Sequence, residues 1–228
     1  MSKINFYEHV KSEKVINPGF ASHGIKVPFR MLMAAPSGSG KTNALCNMIL
    51  AFDKTFHEIL VCVKSADEPL YRLLGDRLEQ NVHFFEDGSV PDIGDFSMKD
   101  HKTGKLKRID KLQRLMIFDD LILDRAANRA AAQYYIKARK LGFSLCYIGQ
   151  SYYQIPKMVR DNCQYFVLGR NLLKKDLRMI LTVFPTEMTL DQFSQLYNEL
   201  TAEPLDVINI DVERRIIRRN IIGEPIKL

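Results

Sequence analysis

The sequence predicts an α/β fold in which a mainly parallel central sheet is flanked by helices on both faces. Short apolar segments of strand length alternate with segments whose apolar residues recur at helical spacing, the pattern of parallel strands joined by crossover helices. A glycine-rich turn joins the first strand to the first long helix, and polar residues follow several later apolar segments. With 228 residues, of which 46% are hydrophobic, the chain suits one large domain.

The individual elements follow from this alternation. Leu45, Met48 and Ile49 recur at helical spacing after the glycine-rich turn, and the same argument predicts the other helices. The predicted helices are 42–52, 68–78, 125–141, 156–162 and 190–200, the last with Thr189 as its N-cap. The predicted strands are 29–35, 58–63, 82–85, 115–118, 143–148 and 165–168, followed by two strands or a hairpin within 207–222. The single domain is expected to span 1–228, with an N-terminal extension at 1–26 and C-terminal strands at 206–228.

The glycine-rich turn carries the first chemical signature. Backbone N–H groups of such a turn converge on one point, and the dipole of the following helix adds positive potential there, so the turn suits phosphates. Lys41 is expected to reach the β- and γ-phosphates of ATP, and Thr42 to ligate Mg²⁺. The pattern G-x-x-x-x-G-K-[ST] is met except at its first glycine, which is replaced by alanine. The residues expected to contact the nucleotide are Ala35, Pro36, Ser37, Gly38, Ser39, Gly40, Lys41 and Thr42.

Two acids follow the apolar segment 115–118 at the end of a predicted buried strand. Asp119 is expected to hold Mg²⁺ through water, and Asp120 to orient or deprotonate the attacking water. On its own, an acidic strand end is equally consistent with a solvated terminus or a helix N-cap. The phosphate loop earlier in the chain favours the metal and water roles.

Gln150 and Arg139 complete the catalytic set predicted from position. Gln150 ends the next strand, where it would contact the γ-phosphate and the lytic water. Arg139 lies in the C-terminal part of the preceding helix and would reach a neighbouring subunit's nucleotide more easily than its own, as an arginine finger acting in trans does. Considered alone, Gln150 is more simply a polar strand end and Arg139 a surface arginine. The residues by themselves predict an Mg²⁺-dependent P-loop NTPase of the additional-strand type.

Composition and charge exclude several classes of protein. The first 14 residues are polar and mixed in charge, unlike a signal peptide, and no apolar run approaches the ~18 residues of a membrane span, so no membrane partner is expected. The four cysteines stand singly in apolar segments without metal-ligand spacing, which predicts reduced thiols in a reducing compartment. The net charge of +6 fits a polyanionic partner.

A lysine-rich segment, 98–111, is the candidate surface for that partner. A basic loop facing a central pore would contact phosphates without reading bases, and a solvated charged loop is an equally good interpretation of the same residues. The residues concerned are Lys102, Lys105, Lys107 and Arg108.

Several motifs together resemble the RecA-like HerA/FtsK superfamily, in particular the poxvirus-type genome-packaging ATPases of large DNA viruses and virophages. The motifs are the phosphate loop, Ile117-Phe118-Asp119-Asp120, Arg139, Gln150-Ser151-Tyr152-Tyr153, Pro156 and Arg160-Asp161-Asn162. The resemblance spans about residues 27–170 and is weaker over the C-terminal strands. In that family an arginine precedes a short strand that ends in glutamine and a second arginine follows. The resemblance therefore implies a finger at Arg139, with Arg160 in reserve, although Lys140 stands where the family often has histidine.

The resemblance also implies an activity and partners. It implies an ATP-driven motor that translocates double-stranded DNA without sequence preference, works as a hexameric or pentameric ring, and fills a preformed capsid through contact with a capsid or portal-vertex protein. The implied location is the host cytoplasm or a viral factory, or association with the virion. Two alternatives stay open at this point: a nucleotide or nucleoside kinase, and a nucleotide-dependent switch that is not a motor.

Overall fold

A single nine-stranded sheet forms the centre of the described part of the chain. The computed structural model describes residues 15–77, 81–96, 113–184 and 186–227. The strands are β1 (Arg30–Ala34), β2 (Glu58–Cys62), β3 (Asn81–Phe85), β4 (Arg114–Asp119), β5 (Phe143–Gly149), β6 (Tyr165–Gly169), β7 (Val207–Asp211), β8 (Ile216–Arg219) and β9 (Pro225–Lys227).

Seven α-helices connect and cover these strands in the described residues. They are α1 (Phe20–His23), α2 (Lys41–Ala51), α3 (Pro69–Arg77), α4 (Arg125–Lys137), α5 (Lys157–Arg160), α6 (Lys174–Val183) and α7 (Leu190–Leu200). Short 3-10 helices cover Ile93–Asp95 and Ala138–Leu141. None of the helices in this part of the chain combines the length and the apolar character that crossing a membrane requires.

The strand order is β3-β2-β4-β5-β1-β6-β7-β8-β9. Neighbouring strands are parallel from β3 to β6, whereas β7, β8 and β9 add an antiparallel edge. Strand β5 lies between β1 and β4, with Ala34 paired to Gly149 and Asp119 paired to Ile148. The carboxyl ends of these three strands therefore lie side by side, which is where open α/β sheets bind ligands.

Both faces of the sheet are buried, because alternate residues of each strand pack against helices on opposite sides. Met31 and Met33 of β1 pack in a core cluster with residues of α2 and α3. Leu32 and Ala34 of the same strand pack in the other cluster with residues of α4, α5, α6 and α7. A strand buried on both faces reads as a continuous apolar run, and β1, β2, β4 and β5 have that sequence.

The predicted α/β class with a mainly parallel sheet is confirmed, and most elements fall within two residues of their predicted bounds. Helix α7 begins with the predicted cap, because Thr189 and Gln192 exchange side-chain and backbone hydrogen bonds in a capping box. The prediction of one continuous helix over 125–141 is wrong in its last turn, which is 3-10 and ends at Gly142 with φ +79°.

Sequence analysis missed α1, α6 and β9. Helix α6 follows Leu173, which offers no side-chain cap, so the usual start signal is lacking. The described part of the expected N-terminal extension packs on the domain: Ile16 and Gln113 exchange hydrogen bonds of 2.7 Å, and His23 is fully buried.

Candidate functional site

The turn between β1 and α2 has the backbone of a phosphate loop. Gly38 and Gly40 have φ values of +74° and +82°, a region in which side chains cause strain. A Cβ on Gly40 would lie 2.6 Å from Cδ2 of Leu205, so the close approach of that residue also requires glycine. Gly40 is the N-cap of α2, and the first N–H groups of a helix have no partner within it. The loop therefore presents free donors and the positive end of the helix dipole to one point.

Lys41 begins α2 and lies half-buried at this point. Its Nζ donates to the Pro36 carbonyl at 3.1 Å. Burial lowers the pKa of Lys41, while the carboxylates of Asp119, Asp120 and Glu68 act in the opposite direction. An ammonium group that is partly desolvated and faces several acids is suited to bind a polyanion together with its cation.

Some of the other residues of the predicted loop face the cleft, and others are hydrogen-bonded within the fold. The side chains of Ser37 and Thr42 face the cleft. The Ala35 N–H donates to the Gly149 carbonyl at 3.1 Å, which fixes the loop to β5, and the Ser39 N–H donates to the Pro36 carbonyl at 3.2 Å. These two amides are already hydrogen-bonded, so the described geometry leaves phosphate contacts to the later part of the loop.

Asp119 ends β4 beside the loop and is held in a largely buried position. The hydroxyl of Tyr71 on α3 donates to its Oδ2. Burial raises the pKa of Asp119 to about 6; the nearby Glu68 and Asp120 carboxylates also raise it, whereas the Tyr71 hydrogen bond and Lys41 lower it. Asp119 makes no ion pair within 4 Å among the described residues, so its charge faces the cleft without a direct cation.

Asp120 and Gln150 meet across the tips of β4 and β5. Asp120 has φ +50°, a conformation that Asp tolerates better than most residues, and its N–H donates to the Ile148 carbonyl at 3.2 Å. Gln150 Nε2 donates to Asp120 Oδ2 at 3.1 Å. The two side chains predicted to act on the lytic water thus contact each other directly.

The chain that follows Gln150 is hydrogen-bonded to a buried carboxylate on α6. Asp176 is 1% exposed, and its Oδ1 accepts from Ser151 Oγ at 2.9 Å and from the Tyr153 N–H at 2.8 Å. These bonds fix the chain immediately after Gln150. Helix α6 therefore contributes to the position of the glutamine at the strand tip.

Glu68 is a residue of the site that sequence analysis missed. It immediately precedes α3, and its Oε2 accepts from Thr42 Oγ1 at 3.3 Å. No motif marks it in the sequence, because it comes from the connection after β2 and joins the loop only through the fold. Through these contacts, Glu68 and Tyr71 place the start of α3 against Thr42 and Asp119, the candidate metal ligands.

These groups line one open cleft of about 550 Å³ at the carboxyl ends of the parallel strands. Its oxygen donors are a hydroxyl and carboxylates, the ligands that Mg²⁺ prefers. Among the described residues, no group of three or more His, Cys, Asp or Glu could hold a metal ion. The lining residues are Ser37, Gly38, Gly40, Lys41, Thr42, Asn43, Glu68, Leu70, Asp119, Asp120, Gln150 and Leu205.

The two candidate arginines lie outside this cleft. Arg139 is exposed on the 3-10 turn before β5, and its side chain makes no hydrogen bond or ion pair with other described residues. The seven residues of β5 separate it from Gln150 by about 23 Å. Arg160 is used within its own chain: its Nε donates to the Ile155 carbonyl at 2.9 Å and its guanidinium lies over the Tyr152 ring. Lys102, Lys105, Lys107 and Arg108 lie outside the described residues.

The comparisons with solved structures support the fold, whereas the comparisons of sequence found no match. No protein-family model and no curated protein matches the sequence. The genome packaging NTPase B204 of Sulfolobus turreted icosahedral virus 2, solved with AMP, is 15% identical, with a TM-score of 0.54, and the match covers 89% of this chain and 100% of that one. B204 of Sulfolobus turreted icosahedral virus, a DNA-packaging ATPase, is 13% identical, with a TM-score of 0.56 and the same coverage.

A secretion ATPase has the same fold over part of its length. The cytoplasmic domain of the type VII secretion ATPase EccC from Thermomonospora curvata is 14% identical, with a TM-score of 0.54, and the match covers 86% of this chain and 25% of that one. The resemblance to viral genome-packaging ATPases is therefore confirmed at the level of the fold.

Proposed function

We propose that the chain is an Mg²⁺-dependent ATPase that translocates double-stranded DNA and packages a viral genome into a preformed capsid. One observation carries the proposal: three separate stretches of the sequence bring Lys41, Thr42, Asp119, Asp120 and Gln150 to a single cleft at the carboxyl ends of parallel strands. A cation, a hydroxyl, two carboxylates and an amide around a helix N-terminus form the set that phosphoryl transfer to water requires.

Each residue then has one role. The free amides of the loop and Lys41 would bind the β- and γ-phosphates. Thr42, and Asp119 through water, would hold Mg²⁺, which would neutralise charge on the phosphates. Asp120 orients the attacking water and accepts its proton. Gln150 contacts the γ-phosphate and that water, so its hydrogen bond to Asp120 links the sensor to the base.

The sheet order supports the additional-strand class. Strand β5 lies between the loop strand β1 and the acidic strand β4, so Gln150 stands between the phosphate loop and the two aspartates. A kinase would not need the glutamine at this strand tip, which is why we favour hydrolysis over transfer to a second substrate.

The wider function rests on the shared fold with packaging ATPases and on the sequence motifs. We propose a homo-oligomeric ring in which Arg139 completes the neighbouring subunit's cleft, because its exposed position is too far from its own. The net charge of +6 suits contact with DNA phosphates. A capsid or portal-vertex partner, and a location in the host cytoplasm, a viral factory or the virion, belong to the same proposal.

Phosphate release from ATP by the purified protein tests the proposal, with and without Mg²⁺ and with and without double-stranded DNA. We expect Mg²⁺-dependent release that DNA of any sequence stimulates. Asp120→Asn should bind ATP and release no phosphate, because an amide of the same shape cannot accept the proton. Transfer of phosphate to a nucleoside or nucleotide, without release to water, would support a kinase. Binding without turnover in the assembled wild-type protein would support a switch.

A further inference from the structure

A second pocket adjoins the cleft at the glycine-rich loop and has no part in the roles assigned so far. It measures about 410 Å³ and lies between the start of that loop, the end of β5 and the start of α6, and we call it the α6 pocket. Ser37 and Gln150 line both the cleft and the α6 pocket, so the two spaces are continuous. A ligand in the α6 pocket would therefore lie beside the side chain proposed to contact the γ-phosphate.

Asp176 is the charged group of the α6 pocket. It is 1% exposed, and its Oδ1 accepts from Ser151 Oγ at 2.9 Å and from the Tyr153 N–H at 2.8 Å. Its Oδ2 is buried as well and accepts no hydrogen bond from the described residues. An ionised carboxylate that is removed from water requires hydrogen bonds and a compensating charge. Only one of the two oxygens of Asp176 has such contacts.

The described basic side chains do not neutralise Asp176. It forms no ion pair within 4 Å among the described residues, and the same holds for Arg170, which follows β6. Lys174 is paired with an exposed acid of α7 at 2.9 Å, and Lys175 Nζ lies 5.1 Å from the centre of the Tyr153 ring. The first turn of α6, which contains Asp176, contributes only the partial positive charge of the helix dipole. The carboxylate is therefore suited to a small external cation.

The remaining polar groups of the α6 pocket are neutral oxygen donors. Gln150, Gln154 and Asn171 carry amide oxygens, and Ser37 carries a hydroxyl. Gln150 uses its Nε2 to donate to Asp120 at 3.1 Å, and its Oε1 accepts no hydrogen bond from another described residue. Hard cations take oxygen ligands, and K⁺ is held by carbonyl-type oxygens that replace its water. One carboxylate among neutral oxygens balances one positive charge, which favours a monovalent ion over a divalent one.

We propose that the α6 pocket binds a monovalent alkali cation, K⁺ or Na⁺, with Asp176 as the charged ligand and the amide oxygens of the pocket as neutral ligands. The pocket has room for the ion and several waters, since a water occupies about 30 Å³. The ion neutralises Asp176 and contacts the side-chain oxygen of Gln150, which holds the glutamine at the strand tip. The effect on hydrolysis rests on the proposed function, whereas binding of the ion does not.

Thermal unfolding of the full chain tests binding in the absence of nucleotide. Tm is measured in the chlorides of K⁺, Na⁺ and tetramethylammonium at equal ionic strength and with EDTA, so that screening is the same and divalent ions are absent. At about tenfold above the midpoint of the titration, K⁺ or Na⁺ should raise Tm by about 3 to 6 °C relative to tetramethylammonium, which is too large to enter among the ligands. Equal Tm values in the three salts would overturn the proposal.

Two substitutions show whether the Tm response comes from the pocket. In Asp176→Asn, Oδ1 can still accept from Ser151 and Tyr153, whereas the amide has no charge to neutralise, so Tm should be the same in the three salts. Asp191→Asn neutralises an exposed acid of α7 and should keep the response of the wild type. A wild-type response in Asp176→Asn would overturn the proposal, because the cation would then act elsewhere on the chain.

A crystal grown in Rb⁺, which replaces K⁺ at oxygen sites, gives a readout that needs no variant. An anomalous peak beside Asp176 is expected, and peaks only outside the α6 pocket would overturn the proposal even if Asp176→Asn does not fold.

Phosphate release from MgATP connects the cation with Gln150. The wild type should hydrolyse ATP about tenfold faster or more in K⁺ or Na⁺ than in tetramethylammonium, the scale of effect seen for groups that orient a ligand, with KM nearly unchanged. Asp176→Asn should have one rate in all three salts. If the wild type hydrolyses no ATP in any salt, the proposed function fails, and the Tm response still decides the cation site. Equal rates beside an intact Tm response would overturn the link to Gln150.

Discussion

The cleft at the glycine-rich loop, which we call the phosphate cleft, meets at Leu205 a groove between α2 and the segment 205–226, which we call the C-terminal groove. The two regions differ in almost every other respect. The cleft is formed mainly by charged and hydroxyl groups at the tips of parallel strands, whereas the groove is formed mainly by aliphatic side chains of one helix and the antiparallel edge. Charged chemistry requires particular residues at particular spacings, so it leaves a motif. Apolar contact requires only shape and surface, so residues of the same composition occur throughout the core.

The largest expected effect would come from Lys41→Ala, which removes the cation of the phosphate cleft and leaves the lining of the C-terminal groove unchanged. The variant should not hydrolyse ATP, because the β- and γ-phosphates lose their main cationic contact. It should also lose affinity for magnesium tripolyphosphate, a ligand that has phosphates and no base. Binding measurements and phosphate release on the same preparation check both points. Near-normal turnover would remove the phosphate-loop assignment and with it the distinction between the two regions.

The sequence placed the glycine-rich turn, Lys41 and the two aspartates at one end of the sheet, where they line one cleft, while their roles stay predictions. A glycine-rich turn, a lysine and an acidic strand end are local, so one stretch of chain suffices to recognise each. Glu68 was missed because it joins Thr42 only after α3 docks, through a contact 26 residues away in the chain. Leu205 was missed because nothing in "EPLD" indicates that its side chain will cover Gly40.

The antiparallel edge was predicted less completely than the parallel strands. The parallel strands are continuous apolar runs, whereas β9 is three residues long and begins at Pro225, which a strand tolerates only at an edge or an end. Its place follows from pairing with β8, a non-local event that periodicity does not encode. Function that depends on this edge therefore has to be found in the structure.

The second prediction concerns whether a neighbouring subunit supplies an arginine to the phosphate cleft. The groove lies within one chain, whereas the phosphate cleft contains no arginine among its described residues. Arg139→Ala should leave nucleotide affinity almost unchanged and lower kcat by roughly 10³-fold or more, the range of arginine fingers. Mixing it with Lys41→Ala should restore part of the activity, because some interfaces would pair an intact loop with an intact arginine.

The outcome of mixing decides where Arg139 acts. Normal hydrolysis by Arg139→Ala in assembled rings would make it a surface residue. Inactivity that mixing does not relieve would place its action within its own subunit. Arg160→Ala is the matched comparison, and it should lower thermal stability more than activity, because its guanidinium packs on Tyr152 and bonds the Ile155 carbonyl.

A third prediction concerns Glu68 and the polar character of the cleft. Glu68→Gln removes a charge beside Thr42 and should lower ATP hydrolysis by about 10- to 100-fold, as removal of groups that orient metal ligands does. It should weaken ATP binding in the presence of Mg²⁺ and leave binding in EDTA unchanged. Asp67→Asn, which neutralises the adjacent exposed acid, is the control and should behave as the wild type. Equal loss with and without Mg²⁺ would show that Glu68 supports the fold and not the cation.

The smallest expected effect is on thermal stability and concerns a buried histidine close to the antiparallel edge. His23 is fully buried, its ring lies 4.3 Å from that of Phe52 at the end of α2, and its Nδ1 accepts from the Ile25 N–H at 2.9 Å. Burial, and secondarily the charge of Arg218 on β8, lowers the pKa of His23 to about 4 from the ordinary value of 6.5. The folded state therefore favours the neutral ring, whereas the unfolded chain takes up a proton below pH 6.5.

Stability from this histidine is present above pH 6.5 and is lost as the pH falls towards 4. Between pH 7 and pH 5 its contribution should fall by about 2 kcal/mol, which lowers Tm by about 4 to 8 °C in a chain of this size. His23→Asn supplies the control, since its Oδ1 can accept the same hydrogen bond and does not titrate. The variant should be less stable at pH 7 and should lose less Tm on acidification. Asp119, whose raised pKa acts in the opposite sense, is present in both proteins and cancels in the difference. If the wild type and His23→Asn lost the same Tm on acidification, the pH dependence of stability would not come from His23.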